Sequence, residues 1–82
     1  MSTEQQLVLV VEQPNWKPLE RVLPRHECAD YMYMGRAGKI ELYKHRLTRH
    51  YLNIDADGRF YMYVNSRYVE VTRTTALEHV RS

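Results

Sequence analysis

One cysteine, three glycines, three prolines, one phenylalanine and one tryptophan in 82 residues rule out several kinds of protein. A lone thiol, Cys28, cannot close an internal disulfide, so the chain is not a disulfide scaffold. Such a cysteine fits a reducing compartment, and a cytoplasmic location is expected. It also cannot supply the paired cysteines of a structural zinc site. No stretch of about 18 apolar residues is present, so no membrane-spanning helix is expected. The opening Met-Ser-Thr-Glu-Gln-Gln lacks a basic start, and the apolar run Leu7 to Val11 is too short for a secretory signal.

Catalytic fingerprints are missing as well. There is no Gly-x-Ser-x-Gly, no P-loop and no dinucleotide motif. A sheet made from so short a chain is also expected to offer little concave volume for a substrate. The expectation is a non-enzyme with no cofactor, no metal and no small-molecule substrate. Sequence signatures of known nucleic-acid modules are absent too.

Seven tyrosines stand out against that background. The stretch from Tyr31 to Thr72 alternates in the way strands require, with successive side chains on opposite faces. Tyr31 and Tyr33 oppose Met32 and Met34; Glu41, Tyr43 and His45 oppose Ile40 and Leu42. Tyr51 and Asn53 oppose Leu52 and Ile54; Tyr61 and Tyr63 oppose Phe60, Met62 and Val64; Tyr68 and Glu70 oppose Val69 and Val71. This pattern predicts a sheet with an aliphatic face turned inward and a face carrying all seven tyrosines turned to water.

The predicted fold is α+β: a four- to five-stranded antiparallel meander over about residues 29–72, with short helices packed on one face. A chain of this length suits a single small domain, 1–82. Residues 1–12 read as a strand or a helix, with the β-branched run Leu7 to Val11 favouring the strand. Asn15 to Leu23 reads as a short helix, with Asn15 as N-cap and Pro18 in the first turn. Pro24 disfavours helical geometry at Leu23 and ends that helix. Trp16 is expected to anchor it on the aliphatic face.

Turns are expected at Gly35-Arg36-Ala37-Gly38, around Arg46 to Arg49, at Asp55 to Gly58 and at Asn65-Ser66-Arg67. A capping box at Thr75 to Glu78 predicts a last helix with Ala76, Leu77 and Val80 inward. Asn53 to Gly58 looks like half of a calcium loop, but Val64 stands where the bidentate Glu belongs, so a β-turn is expected. His26-Glu27-Cys28 lacks the Pro-Cys-x-x-Cys that a zinc deaminase requires, and Cys28 is expected to be a small buried residue.

Charge is uneven. Residues 1–30 carry three basic and five acidic residues, and residues 31–82 carry nine and five. The basic stretch Lys44-His45-Arg46-Leu47-Thr48-Arg49-His50 is expected to share one end of the sheet with Arg67, where these groups could meet phosphate or carboxylate. Tyrosine joins a large rigid apolar area to a polar tip, which suits contact surfaces. The expected function is therefore an interaction domain. Its face of Tyr31, Tyr33, Tyr43, Tyr51, Tyr61, Tyr63 and Tyr68 would meet a protein partner or a second copy of the chain. The alternative is nucleic-acid binding, with bases on the tyrosines and phosphates on Lys44, His45, Arg46, Arg49, His50 and Arg67.

Overall fold

A computed structural model describes residues 13–82. The two readings of residues 1–12 therefore lie outside the described residues. The fold is α+β, as the patterning predicts. Five strands, β1 (Tyr31–Ala37), β2 (Ile40–His45), β3 (Tyr51–Asp55), β4 (Phe60–Val64) and β5 (Arg67–Val71), form one antiparallel sheet in the order of the chain. Three helices, α1 (Lys17–Val22), α2 (Arg25–Cys28) and α3 (Arg73–Arg81), complete the described chain.

Local chemistry accounts for the helix ends. Pro18 sits in the first turn of α1, where its missing N–H removes no helical bond. The cap position falls on Trp16, one residue after the expected Asn15, whose Oδ1 still accepts from Lys17 N at 3.3 Å. Leu23 is extended, as the following Pro24 requires, and the short helix α2 starts directly after that proline. The sequence reading missed α2. It also placed the last helix too late: α3 begins at Arg73, because Thr72 rather than Thr75 is the cap and accepts from Thr75 N at 3.1 Å.

Turn geometry follows residue type at two hairpins. Gly38 opens the two-residue β1–β2 turn with φ +60°, the first-position glycine of a type II′ turn. The turn therefore lies three residues later than the first of the two glycines suggests. Gly35 instead sits at φ +130° in a bulge between Tyr33 and Gly35, inside β1. At the β4–β5 turn, Asn65 (φ 51°) and Ser66 (φ 66°) are both left-handed, the geometry of a type I′ turn.

The predicted division of faces does not hold. Within each strand the alternation is as read, but the register between strands changes its meaning. Tyr33 pairs with Tyr43, Tyr43 with Leu52, and Glu41 with Ile54. Paired residues share a face. The face bearing Tyr31, Tyr33 and Tyr43 on β1 and β2 thus continues as Leu52 and Ile54 on β3, Phe60 on β4 and Val71 on β5. That composite face receives the helices. Its core joins Leu19, Leu23, Tyr31, Tyr43, Leu52, Ile54 and Phe60 to Ala76, Leu77 and Val80.

Trp16 accordingly packs on tyrosine rings rather than on aliphatics, with centroids 5.5 Å from Tyr43 and 6.1 Å from Tyr33. The Tyr43 hydroxyl donates to Asn15 O at 2.5 Å, so its polar tip is satisfied inside the core. Met34, Val64 and Val69, expected inward, are exposed. The bulge displaces Met34 from the regular pleat, and the two valines lie beyond the reach of the helices.

Candidate binding site at the open end of the sheet

β3 and β4 are paired only at Asn53↔Tyr61 and Ile54↔Phe60. β4 and β5, by contrast, stay paired from Phe60↔Val71 to Val64↔Arg67. The β4–β5 hairpin therefore diverges from β3 beyond Asn53. Where the strands part, a cavity of about 360 Å³ opens. This lies within the range of small-ligand sites, roughly 300–1,000 Å³, and corrects the expectation of little concave volume.

Residues of both sheet faces reach this gap. Leu42, Tyr51, Asn53, Tyr63 and Tyr68 come from the face away from the helices, and Met62 from the other face. Arg49 and His50 enter from the β2–β3 connection and His79 from α3. Tyr63 and Tyr68, directly paired, hold their rings 4.8 Å apart. Lys44 Nζ stands 5.8 Å from the Tyr51 ring. Burial raises the pKa of Tyr68, helped by the neighbouring Tyr63 and Tyr51 hydroxyls.

The wall formed by the β2–β3 connection is fixed to the end of α3. Thr48 Oγ1 donates to Val80 O at 2.6 Å, and His50 Nδ1 lies 3.0 Å from His79 O. A carbonyl only accepts, so Nδ1 carries the proton in this contact. These bonds satisfy carbonyls that the last turn of a helix leaves open. The His50 and His79 rings stack, with centroids 4.7 Å apart and planes 17° apart. Arg49 takes a left-handed φ of 68° in this connection, and its N–H donates to His45 O at 3.0 Å.

Asn53 is a buried polar residue of the wall, with only 3% of its surface exposed. Its Nδ2 donates to Tyr61 O at 3.1 Å, whereas Oδ1 is buried with no hydrogen-bond partner among the described residues. That donor contact fixes the amide's orientation, since a flipped amide would set two acceptors against each other. An unpaired buried acceptor costs about 1–3 kcal/mol.

The seven tyrosines do not form one contact face. Tyr31 and Tyr43 are core residues on the helix side, where burial raises both hydroxyl pKa values. Tyr33 is half-buried on that side and donates to Glu41 Oε1 at 2.6 Å. Tyr61, on the opposite side, is buried and bonded to Asp55. Tyr51, Tyr63 and Tyr68 remain, and all three line the cavity.

The basic group divides similarly. The 44–50 connection does share an end of the sheet with Arg67, because β2 ends and β5 begins there. Arg49 and His50 line the cavity, and Lys44 covers the Tyr51 ring. Arg46 and Arg67 are exposed. His45 is structural: its Nδ1 accepts from Leu47 N and Thr48 N, and its ring meets Tyr31 edge-on at 5.0 Å.

Two buried carboxylates lie at the other end of the sheet. Burial alone would raise both, but hydrogen bonds outweigh it. Asp55 is held below its ordinary pKa by Arg59 N–H, the Tyr61 hydroxyl and Asp57 N–H, and also by nearby Lys39. Glu41 is held low by Tyr33, Arg36 and Asn15. With Asp55 Oδ1 accepting from Asp57 N and Arg59 N, and Oδ2 from Tyr61, the Asp55–Gly58 segment is a tied turn.

The sequence reading gave no binding role to Leu42, Met62 or His79, and it weighed Asn53 for one only as the start of the rejected calcium loop. For Asn53 a signal existed, since asparagine is a poor strand former and here interrupts Leu52 and Ile54 in a central strand. Nothing in the sequence marked His79. No protein-family model, curated protein or solved structure matches this chain.

Proposed function

We propose that the chain is a non-enzymatic interaction module that meets a protein partner, or a second copy of itself, through the open end of its sheet. The supporting observation is the exposure of large apolar groups on both sides of the diverging β4–β5 hairpin. Tyr63 is 60% exposed on one face, and Val64 and Val69 are 42% and 37% exposed on the other. Tyr51, at 37%, extends this surface across the gap. Rings and aliphatics grouped in this way, with hydroxyls at the margin, have the makeup of an interface core.

Sedimentation over a wide concentration range tests the reading. The expected result is association that weakens when Tyr63→Ala and Val69→Ala are combined. A monomer at every concentration, whose double variant retains each protein partner of the parent chain, rejects it. The single cysteine supports a cytoplasmic setting for this role. No helix among the described residues is long and apolar enough to cross a membrane.

A second reading, single-stranded nucleic acid, has its own supporting observation: the cavity wall combines three tyrosine rings with Arg49 and, among the described residues, carries no carboxylate. Stacking surfaces beside cations are the usual means of holding unpaired bases. Affinity that falls steeply with salt is expected in that case.

A further inference from the structure

We infer that the free edge of β5 is a self-pairing surface, on which a second copy of the chain adds its own β5 antiparallel across a two-fold axis at Val69. The inference rests on the interaction reading above and supplies its occupant, its backbone contacts and its register.

The edge is open. β5 is the last strand of the sheet, with no strand beyond it among the described residues, and α3, which follows it, packs over β3 and β4. Arg67, Val69 and Glu70 are exposed. Such a margin presents backbone donors and acceptors that another strand can take up. The usual devices that blunt it are missing here. β5 contains no proline, lysine or glycine, and it pairs with β4 along its whole length without a shift. The opposite margin, β1, is interrupted by the Gly35 bulge.

The turn fixes which groups face out. Asn65 and Ser66 form a two-residue loop, so Arg67 N–H bonds back to Val64 O and these two residues make a hydrogen-bonded pair. Antiparallel pairs alternate, so Val69 and Val71 also turn their amides and carbonyls toward β4. Tyr68 and Glu70 turn theirs the other way, to the edge.

Symmetry then limits the register. A two-fold axis that sets two strands antiparallel in one sheet is perpendicular to it and keeps every side chain on its own face. Paired residues share a face, so the axis passes through a residue and not between two. Axes at Arg67 or Tyr68 would carry the pairing into the turn, where Ser66 is left-handed, and an axis at Val71 would carry it into α3. An axis at Glu70 would set two carboxylates against each other.

At Val69 the whole strand is used. Tyr68 exchanges both backbone bonds with the second copy's Glu70, and Glu70 does so with its Tyr68. Val69, 37% exposed, meets itself in the close, non-hydrogen-bonded pair. Arg67 faces Val71, so no like charges are opposed. The contact is the same patch on both copies, which closes a dimer rather than starting a fibre.

The test follows the full chain by sedimentation and by deuterium exchange at single amides, each over a wide concentration range. The expected result is a dimer whose Tyr68 and Glu70 amides become protected as it forms. Val69→Lys and Val69→Glu should each weaken association about tenfold, since like charges then meet at the axis. An equimolar mixture of the two should recover it. Glu70→Pro, which removes an outward N–H and no bond to β4, should weaken it as well.

Exchange in the parent chain keeps the test valid if a variant fails to fold. A dimer whose Tyr68 and Glu70 amides exchange alike at every concentration overturns the edge and leaves the interaction reading standing. A monomer that holds a different protein through Tyr63 does the same, and a monomer with no partner overturns both. Protection independent of concentration means that the edge is covered within one chain, which also overturns the inference. A mixture that stays dissociated overturns the axis at Val69.

Discussion

Tyr61 donates its hydroxyl to Asp55 Oδ2 at 2.7 Å, joining the start of one strand to the end of another across the Asp55–Gly58 turn. The same carboxylate accepts from two backbone amides, and 1% of the residue is exposed. Asp55→Ala strands three donors and should cost about 3 kcal/mol in urea unfolding, while Tyr61→Phe, which leaves the amides paired, should cost about 1.5 kcal/mol. Equal costs for the two variants would show that the amides do not depend on Asp55.

Acid should weaken the fold through the same group. Asp55 and Glu41 both have folded pKa values below their ordinary ones. Each therefore adds stability that is complete above the unfolded carboxylate pKa, near 4, and is lost as pH falls through the lower folded value. Urea midpoints measured from pH 7 to pH 2 should stay flat above about pH 5 and then fall. Asp55→Asn should make that fall shallower.

Ser66 should be replaceable with profit to stability. It holds a φ of 66° in the type I′ turn after Asn65, a conformation that disfavours a side chain with Cβ. Ser66→Gly should stabilise the domain by about 1 kcal/mol. For a domain of this size that corresponds to a rise in Tm of roughly 4–8 °C, measurable by calorimetry. An unchanged or lower Tm would mean that Ser66 makes a compensating contact.

The two classes of tyrosine should separate on hydroxyl removal. Tyr43 is fully buried, and its hydroxyl donates to Asn15 O. Tyr43→Phe leaves that carbonyl without the bond and should cost about 1 kcal/mol. Tyr63 is 60% exposed, so Tyr63→Phe should fall within about 0.5 kcal/mol of the parent. Comparable losses at both positions would contradict the split of tyrosines between faces.

That split also marks how far the fold was legible. Alternation within each strand could be read residue by residue, and the strand order followed from the turns. Which faces joined could not be read, because this depends on the pairing register. A register that sets Tyr43 opposite Leu52 places tyrosine and leucine on one side, whatever the parity of their numbers. The Gly35 bulge adds a further offset that no hydrophobic pattern announced. Tyr51, Tyr63 and Tyr68 were visible as candidates, and so were Arg49 and His50. Asn53 became significant only once the parting of β3 from β4 set it beside a cavity.

The narrow seam between those two strands has a mechanical consequence. Two ladder pairs, with the Asp55 contacts to Arg59 and Tyr61 at one end, hold β4 to β3, so the sheet is jointed beyond the line where Asn53 meets Tyr61. Backbone amides of Met62 to Val69 should then exchange with deuterium ahead of those on β2, as a sub-global opening that leaves the first three strands intact. A guest seated in the joint would stiffen it, which makes protection of that hairpin a gauge of occupancy for any ligand.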